Sequence, residues 1–116
     1  MIAETQKLLA CVVLVTCGNV EEAETIAKTI VTERLAACVN VVGRSEGMQS
    51  FFIWDNLLQK ESEILLLIKT MPERLPQLEN RIQELHSYSV PEFIVLPVIM
   101  GGQSYMQWIK DSVSQG

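Results

Sequence analysis

The chain contains a single histidine, His86, and only three cysteines, which stand at the widely spaced positions Cys11, Cys17 and Cys38. An odd number of scattered cysteines does not make a disulfide framework. The sequence has no Cys-x-x-Cys pair, and one histidine cannot complete a structural zinc site within one chain. These absences exclude a disulfide-rich fold and a tight metal site built by one copy alone.

Positive charge and long apolar runs are also scarce. The net charge is -5, with 9 lysines and arginines against 14 acidic residues, so the chain repels phosphate backbones and anionic membranes. The N-terminal sequence MIAETQK carries an acid where a signal peptide has basic residues, and no apolar run has the length of a membrane span. We expect a cytoplasmic protein that binds neither nucleic acid nor membranes.

The common enzyme signatures are missing. There is no G-x-S-x-G, H-E-x-x-H, P-loop or G-x-G-x-x-G motif. A nucleophilic pair of Cys38 and His86 is conceivable, but Cys38 lies between apolar residues of a predicted strand, where a cysteine is usually inert. We therefore expect a protein without catalytic activity that requires no cofactor, although a copper ion or another divalent cation could bind it.

What the sequence does contain is a regular alternation of strand and helix patterns. Continuous or alternating apolar residues predict strands at 8–16, 36–42, 61–69 and 93–98. A loop or bulge with two glycines is predicted at 43–47, the chain continues extended through 48–54, and Asp55 and Asn56 then turn it. Helical periodicity, with Asn19 and Glu22 as a capping-box start, predicts a helix over Val20 to Leu35. A second helix is predicted from Thr70 and Pro72 to His86, and a short final helix is predicted to be capped by Ser104.

The resulting order, β-α-β-β-α-β-α, predicts an α+β fold. Its first six elements form the ferredoxin-like split βαβ sandwich, with a long hairpin between its second and third strands. Right-handed crossovers place both main helices on one sheet face, yet the first and third strands are apolar on both faces. We expect a single domain over residues 1–116, with residues 1–7 as a flexible lead, and a homo-oligomer that covers the second face.

The stretch HSYSVPEFIVLPV, residues 86–98, is the main candidate for chemistry. Its histidine has two open interpretations: a ring that hydrogen-bonds at the helix C-terminus, or a copper or zinc ligand that symmetry repeats in an oligomer. Tyr88 and Glu92 flank Pro91, which favours an extended backbone before it. Trp54 fits an interface on the protruding hairpin, and Lys69 is either solvated or able to bind an anion in a cleft.

Four segments together resemble one known family. The segments ERLAACVNVV, FFIW, ESEILLLIKT and LHSYSVPEFIVLPVIMGGQSYMQWI are similar, in this order, to the CutA (CutA1) divalent-cation tolerance proteins. The resemblance implies a ferredoxin-like fold, a cytoplasmic homotrimer joined through the long hairpins, and a link to divalent-cation tolerance, with copper as the metal. The family's likeness to trimeric PII signalling proteins implies an alternative, a module that binds a small anionic metabolite in clefts between subunits.

The resemblance also implies functional positions. The family pattern His-Pro-Tyr-Glu-x-Pro-Glu falls on residues 86–92, where Ser87 and Ser89 replace the second and fourth residues, and Cys38 matches the family's Ala-Ala-Cys. This implies His86 and Cys38 as metal ligands. The predicted ligand cleft consists of Trp54, Lys69, Tyr88 and Glu92. Because Leu85 stands where some relatives have a second histidine, we expect moderate copper binding at His86 and little contribution from a buried Cys38.

Overall fold

The computed structural model describes residues 9–114, which form an α+β fold of five antiparallel strands and three helices. The elements are β1 (Ala10–Cys17), α1 (Val20–Thr32), β2 (Cys38–Val42), β3 (Met48–Trp54), β4 (Leu57–Thr70), α2 (Leu75–Leu85), β5 (Ile94–Val98) and α3 (Gln103–Ser112). The prediction for residues 1–7 lies outside this range. Between residues 9 and 114, no helix has the length and apolar character needed to cross a membrane.

Strand β4 organises the sheet. Its second half lies between β1 and β2, its first half pairs with β3, and β5 joins the far edge of β1. The β1 pairing ends at Cys17 and Ile64, so residues 57–63 of β4 continue past β1 and, among the described residues, pair only with β3. At about 3.3 Å per residue, this hairpin extends roughly 20 Å beyond the end of β1. The predicted long, projecting hairpin is therefore present.

The middle of the chain contains the loop predicted at 43–47. It separates β2 from β3, because Gly43 and Gly47 adopt positive φ angles of 89° and 77° and turn the chain. The turn predicted at Asp55 and Asn56 is present, and both residues have positive φ, as a two-residue type I′ hairpin turn requires. This tight turn makes β4 longer than the predicted 61–69.

Helix α1 begins as predicted and ends three residues early. The Asn19 side chain accepts a hydrogen bond from the backbone N–H of Glu22 at 2.8 Å, which confirms the N-cap. At the other end Arg34 takes a φ of 60°, and the N–H of Leu35 donates to the carbonyl of Ile30 at 2.8 Å. This is a Schellman motif, and it turns the buried Leu35 back into the core instead of extending the helix.

Two predicted helix starts were wrong. Thr70 belongs to β4, where it is buried and donates its hydroxyl to the carbonyl of Leu35 at 2.7 Å; a short 3-10 helix, Pro72–Arg74, then leads into α2. Ser104 lies inside α3 rather than at its start. The N-cap is Gly102, whose carbonyl accepts the N–H of Met106 at 2.9 Å, because the backbone is already helical from Gln103 onward.

The main core lies between one sheet face and the helices α1 and α2. Its largest fully buried side chains come from both layers and include Val13, Val15, Leu66 and Ile68 from the sheet and Ile26, Ile30, Leu78 and Ile82 from the helices. A second, smaller cluster holds α3 through Ile109 and Val113 against Ala10, Ala37 and Met71. Only this end of the opposite sheet face receives a helix.

We call the sheet face opposite α1 and α2 the open face. Because side chains alternate along a strand and paired residues share a face, it carries Val12, Leu14, Leu65, Leu67, Ile94 and Leu96. The β1 and β4 members are half-buried, whereas Ile94 and Leu96 of β5 are 48% and 44% exposed. Strand β1 is apolar on both faces, but within one chain its second face has only partial cover.

Arg34 offers a test of the Schellman turn. The left-handed conformation costs a residue with a Cβ atom about 1 to 2 kcal/mol, a cost that glycine avoids. Arg34 also donates to the carbonyl of Ser112 at 3.2 Å, and both Arg34→Gly and Arg34→Ala remove that bond. We expect the glycine variant to be about 1 kcal/mol more stable than the alanine variant in urea unfolding. Equal stabilities would show that this turn does not constrain α1.

Candidate functional site

His86 is the structural joint between α2 and β1. It follows the last residue of α2, and its side chain is buried. Its Nε2 lies 2.7 Å from the carbonyl oxygen of Thr16, and the backbone N–H of Tyr88 donates to its Nδ1 at 3.0 Å. These partners assign a neutral ring that is protonated at Nε2. Both nitrogens are engaged, so a metal ion at His86 would have to break one of these bonds.

Glu22 holds the residue after this joint. Its carboxylate, at the start of α1, accepts the backbone N–H of Ser87 at 2.5 Å and the Ser87 hydroxyl at 2.9 Å. The family pattern quoted in the sequence analysis has a proline at this position. Proline lacks an N–H and could not donate such a bond. Glu22 therefore links α1 to the segment after α2 and does not return to Asn19 as a capping box would.

Tyr88 connects the joint to the hairpin. Its hydroxyl donates to Oε2 of Glu63 on β4 at 2.9 Å, and its ring lies 4.7 Å from the His86 ring, centre to centre. Burial, followed by the hydrogen bond to Glu63 and the charge of Glu63, raises the pKa of Tyr88 to about 12. The hydroxyl therefore stays protonated at neutral pH and remains a donor.

Glu63 was missed by the sequence reasoning. It is only 7% exposed and faces the same side of the sheet as the half-buried leucines Leu65 and Leu67. The sequence contained one indication of it, because an acid stands directly before the apolar run ILLLI. Side chains alternate along a strand, so this acid lies on the open face. Its burial depends on Tyr88, which covers it from a distant part of the chain.

A cavity of about 690 Å³ opens between the hairpin and the segment that precedes β5. We call it the cleft. The hairpin supplies Phe52, Trp54, Gln59 and Glu61, the other wall is residues 88–92, and Thr16 lies at the end of β1. Trp54, Tyr88 and Glu92, three of the four residues predicted for a ligand cleft, line this one space.

Lys69, the fourth, is elsewhere. It pairs with Cys38 and Val12 near the opposite end of the sheet, and its ammonium group hydrogen-bonds to Asn40 Oδ1. The eight residues from Glu61 to Lys69 span about 26 Å of strand. Within one chain Lys69 does not line the cleft, because the long β4 carries it far beyond the cleft walls. That these four residues share a cleft between subunits stays a prediction.

The two predicted metal ligands are also far apart. Cys38 lies level with Val12 of β1, whereas His86 contacts Thr16, four residues and about 13 Å further along that strand. Cys38 is half-buried on the open face, 3.9 Å from the Lys69 ammonium. Cys38 is therefore more accessible than His86, whereas Cys38 was expected from the sequence to be the buried residue. Over residues 9–114, no three His, Cys, Asp or Glu side chains group closely enough to hold a metal ion.

The remaining cysteine near the joint is unreactive. Cys17 is buried at the end of β1, and burial, together with the charges of Glu22 and Glu63, raises its pKa to about 12. A thiol that remains protonated at neutral pH is a poor nucleophile and a poor metal ligand. Cys17 therefore acts as a small core residue.

The cleft carries negative charge. Glu61 and Glu92 line it, no lysine or arginine is among its lining residues, and Glu63 lies behind Tyr88. Burial, and secondly the charge of Glu63, raises the pKa of Glu92 above its usual range. The arrangement therefore favours a cation over an anion as an occupant.

Comparison with known proteins identifies relatives over most of the chain. The family model described as CutA1 divalent ion tolerance protein matches residues 11–112. The divalent-cation tolerance protein CutA of Thermus thermophilus is 43% identical over 101 residues, covering 87% of this chain and 95% of that protein. Protein CutA of Homo sapiens is 38% identical over 96 residues, and the chain spans about half (52%) of its length.

Solved structures share the fold. The divalent cation tolerance protein (Cut A1) of Thermus thermophilus superposes with a TM-score of 0.86 at 41% identity, covering 90% of this chain and 99% of that one. CutA1 of Oryza sativa gives a TM-score of 0.86 at 37% identity, covering 94% and 98%. The hairpin, the joint and the cleft walls all fall within residues 11–112, the range that the family model matches.

The Tyr88–Glu63 hydrogen bond can be tested by Tyr88→Phe. The substitution keeps the ring but leaves a nearly buried carboxylate without its donor, so we expect a loss of about 1 to 3 kcal/mol in the free energy of unfolding. Denaturant unfolding measures this loss. Tyr105→Phe on the exposed side of α3 is the matched control and should change stability by less than about 0.5 kcal/mol. A similar effect of both variants would remove the structural role of this bond.

Glu92 should make stability depend on pH. Its folded pKa is raised above the ordinary 4.5, so its contribution to stability is fully present below the unfolded pKa and is lost as the pH rises through the folded pKa. We expect Glu92→Gln to melt at a higher temperature than the parent at about pH 7 and at nearly the same temperature at about pH 4. Calorimetric melting at both pH values measures this difference, with the exposed Glu79→Gln as the control. An equal rise in melting temperature at both pH values would contradict the mechanism.

Proposed function

We propose, since the chain belongs to the CutA1 divalent-ion tolerance family, that it acts in divalent-cation tolerance as a homotrimer that binds copper with ligands from more than one subunit. The observation that carries this proposal is the incomplete ligand set: within residues 9–114, one copy cannot surround a metal ion. Rotational symmetry would bring the same donor together from several copies. The chain would bind the metal without catalysis.

Two unsatisfied surfaces support assembly. The open face exposes apolar side chains of β5, and the first half of β4 has a backbone edge that no strand covers within residues 9–114. Exposed apolar patches and free strand edges are both sites of association. The strand order β2-β4-β1-β5 supports the ferredoxin-like arrangement, and the family resemblance supplies the number three.

Cys38 is the better supported copper ligand. Its thiol is half-buried on the open face, where a neighbouring copy would approach, and soft sulfur ligands suit copper. His86, by contrast, has a buried side chain with both ring nitrogens engaged. The three cysteines are free thiols, which supports a reducing, cytoplasmic location; cell fractionation would test that location.

The alternative, a PII-like module for an anionic metabolite, has less support. The cleft is lined by carboxylates, and the lysine proposed to hold an anion lies about 26 Å along the strand from Glu61. An anion would therefore enter a negative cavity without a cation from the same chain. A partner subunit would have to supply that positive charge.

Assembly is tested by charging the open face. We expect Ile94→Asp and Leu96→Asp to shift the homotrimer toward monomers in light scattering at micromolar concentration, because each buries a carboxylate in an apolar contact. Val31→Asp is the matched control, since Val31 is similarly exposed but lies on α1, on the other side of the sheet. A monomeric parent, or dissociation by Val31→Asp alone, would contradict this use of the open face.

Copper titration tests the ligand. Calorimetry of the assembled chain should show that Cys38→Ser weakens copper binding at least about tenfold, as expected when a soft sulfur ligand is replaced. His86→Ala should keep most of the affinity and mainly lower the melting temperature, because it removes one buried and one part-buried hydrogen bond. Loss of binding in His86→Ala with full binding in Cys38→Ser would assign the metal to the histidine instead.

A further inference from the structure

Glu63 is a nearly buried carboxylate without a cationic partner. It is 7% exposed, its one side-chain hydrogen bond comes from Tyr88, and no ion pair within residues 9–114 includes it. Buried charges in proteins are normally paired or bound to a cation, since their transfer from water is costly. Glu63 lies directly behind Tyr88, which lines the cleft, so its carboxylate favours a cation on the other side of that ring.

The surroundings of this charge have the composition of an organic-cation site. Phe52, Trp54 and Tyr88 present aromatic rings to the cleft, while Glu61 and Glu92 add carboxylates. Aromatic faces attract a cation through their quadrupole, most strongly when water is excluded, and tryptophan does so best. Rings and carboxylates around one cavity therefore suit a cation that has an apolar body.

The size of the cleft agrees with a small molecule. Its volume of about 690 Å³ lies within the range of ligand pockets, roughly 300 to 1,000 Å³. Phe52 and Trp54 stand two residues apart on β3, so they lie on one face of the hairpin. The hairpin therefore forms an aromatic wall opposite residues 88–92.

We infer that the cleft binds a small organic cation, a protonated amine with an aromatic or aliphatic body. The ammonium group would approach Glu61 and Glu92, the two carboxylates that line the cleft, while Glu63 lies behind Tyr88. The apolar body would lie against Trp54 and Phe52. A bare metal ion fits less well, because no three ligating side chains group together within residues 9–114 and aromatic rings offer it no coordinating atoms. This inference goes beyond the proposed copper site, which depends on Cys38 at the other end of the sheet.

The test compares three ligands that share a ring and differ in charge. Benzylamine is a cation at about pH 7, benzyl alcohol is neutral and benzoate is an anion. We expect calorimetry of the full chain to show one benzylamine per chain, with affinity at least about tenfold higher than that of benzyl alcohol and no binding of benzoate. Equal affinity for the amine and the alcohol, or no binding of the amine, would overturn the inference.

Variants locate the site. Trp54→Leu and Glu92→Gln should each weaken benzylamine binding roughly tenfold, whereas Trp108→Leu on α3 and exposed Glu79→Gln should leave it unchanged. Glu61→Gln should weaken it similarly, because Glu61 is the second carboxylate that lines the cleft. If the two control variants weakened benzylamine binding equally, the effect would be nonspecific and the site would be overturned.

Two further outcomes would replace the occupant. Binding of benzylamine to the Ile94→Asp variant but not to the parent would show that a neighbouring copy already fills the cleft. Displacement of benzylamine by stoichiometric copper or calcium would show a metal site. Either result overturns the organic-cation site. The light-scattering result and the effect of Cys38→Ser on copper binding would remain informative, because they report on the open face and on Cys38.

Discussion

The pairing of β4 with three other strands determines the rest of the molecule. Its second half is held between β1 and β2, which fixes the register of the core, while its first half, within the described part of the chain, has only β3 beside it. Because β4 pairs with β1 and β2 in one half and with β3 in the other, it must extend past the end of β1. The projecting hairpin, the free strand edge and the cleft beneath the hairpin are consequences of this single length difference, because β1 stops at Cys17 while β4 begins seven residues before its partner Ile64.

Local rules of the sequence were sufficient where a few neighbouring residues decide the structure. Asn19 with Glu22 predicted a helix start, and Asp55 with Asn56 predicted the hairpin turn. The same rules failed at Ser104 and Thr70, which have residue types suited to capping but lie within elements that long-range packing determines. Thr70 is the clearer example, since its buried hydroxyl is satisfied by Leu35, a residue distant in sequence.

The candidate site was predictable in composition but not in arrangement. Trp54, Tyr88 and Glu92 meet at one cleft within a single chain, whereas the resemblance implied clefts between subunits. Lys69 does not line this cleft, because strand length, which no motif reveals, decides how far it lies from Glu61. Glu63 was overlooked because its importance comes from burial under Tyr88, and burial of an isolated acid is a tertiary property.

The joint at His86 explains why the only histidine need not be the reactive group. Its ring accepts from Tyr88 and donates to Thr16, so it fixes the position of Tyr88. Tyr88 in turn covers Glu63. The isolated chain thus carries two costs, a buried carboxylate and an exposed apolar face. Any partner that relieves either cost binds the folded state alone and stabilises it by mass action, so the cleft and the open face would couple ligand binding, assembly and stability through one sheet.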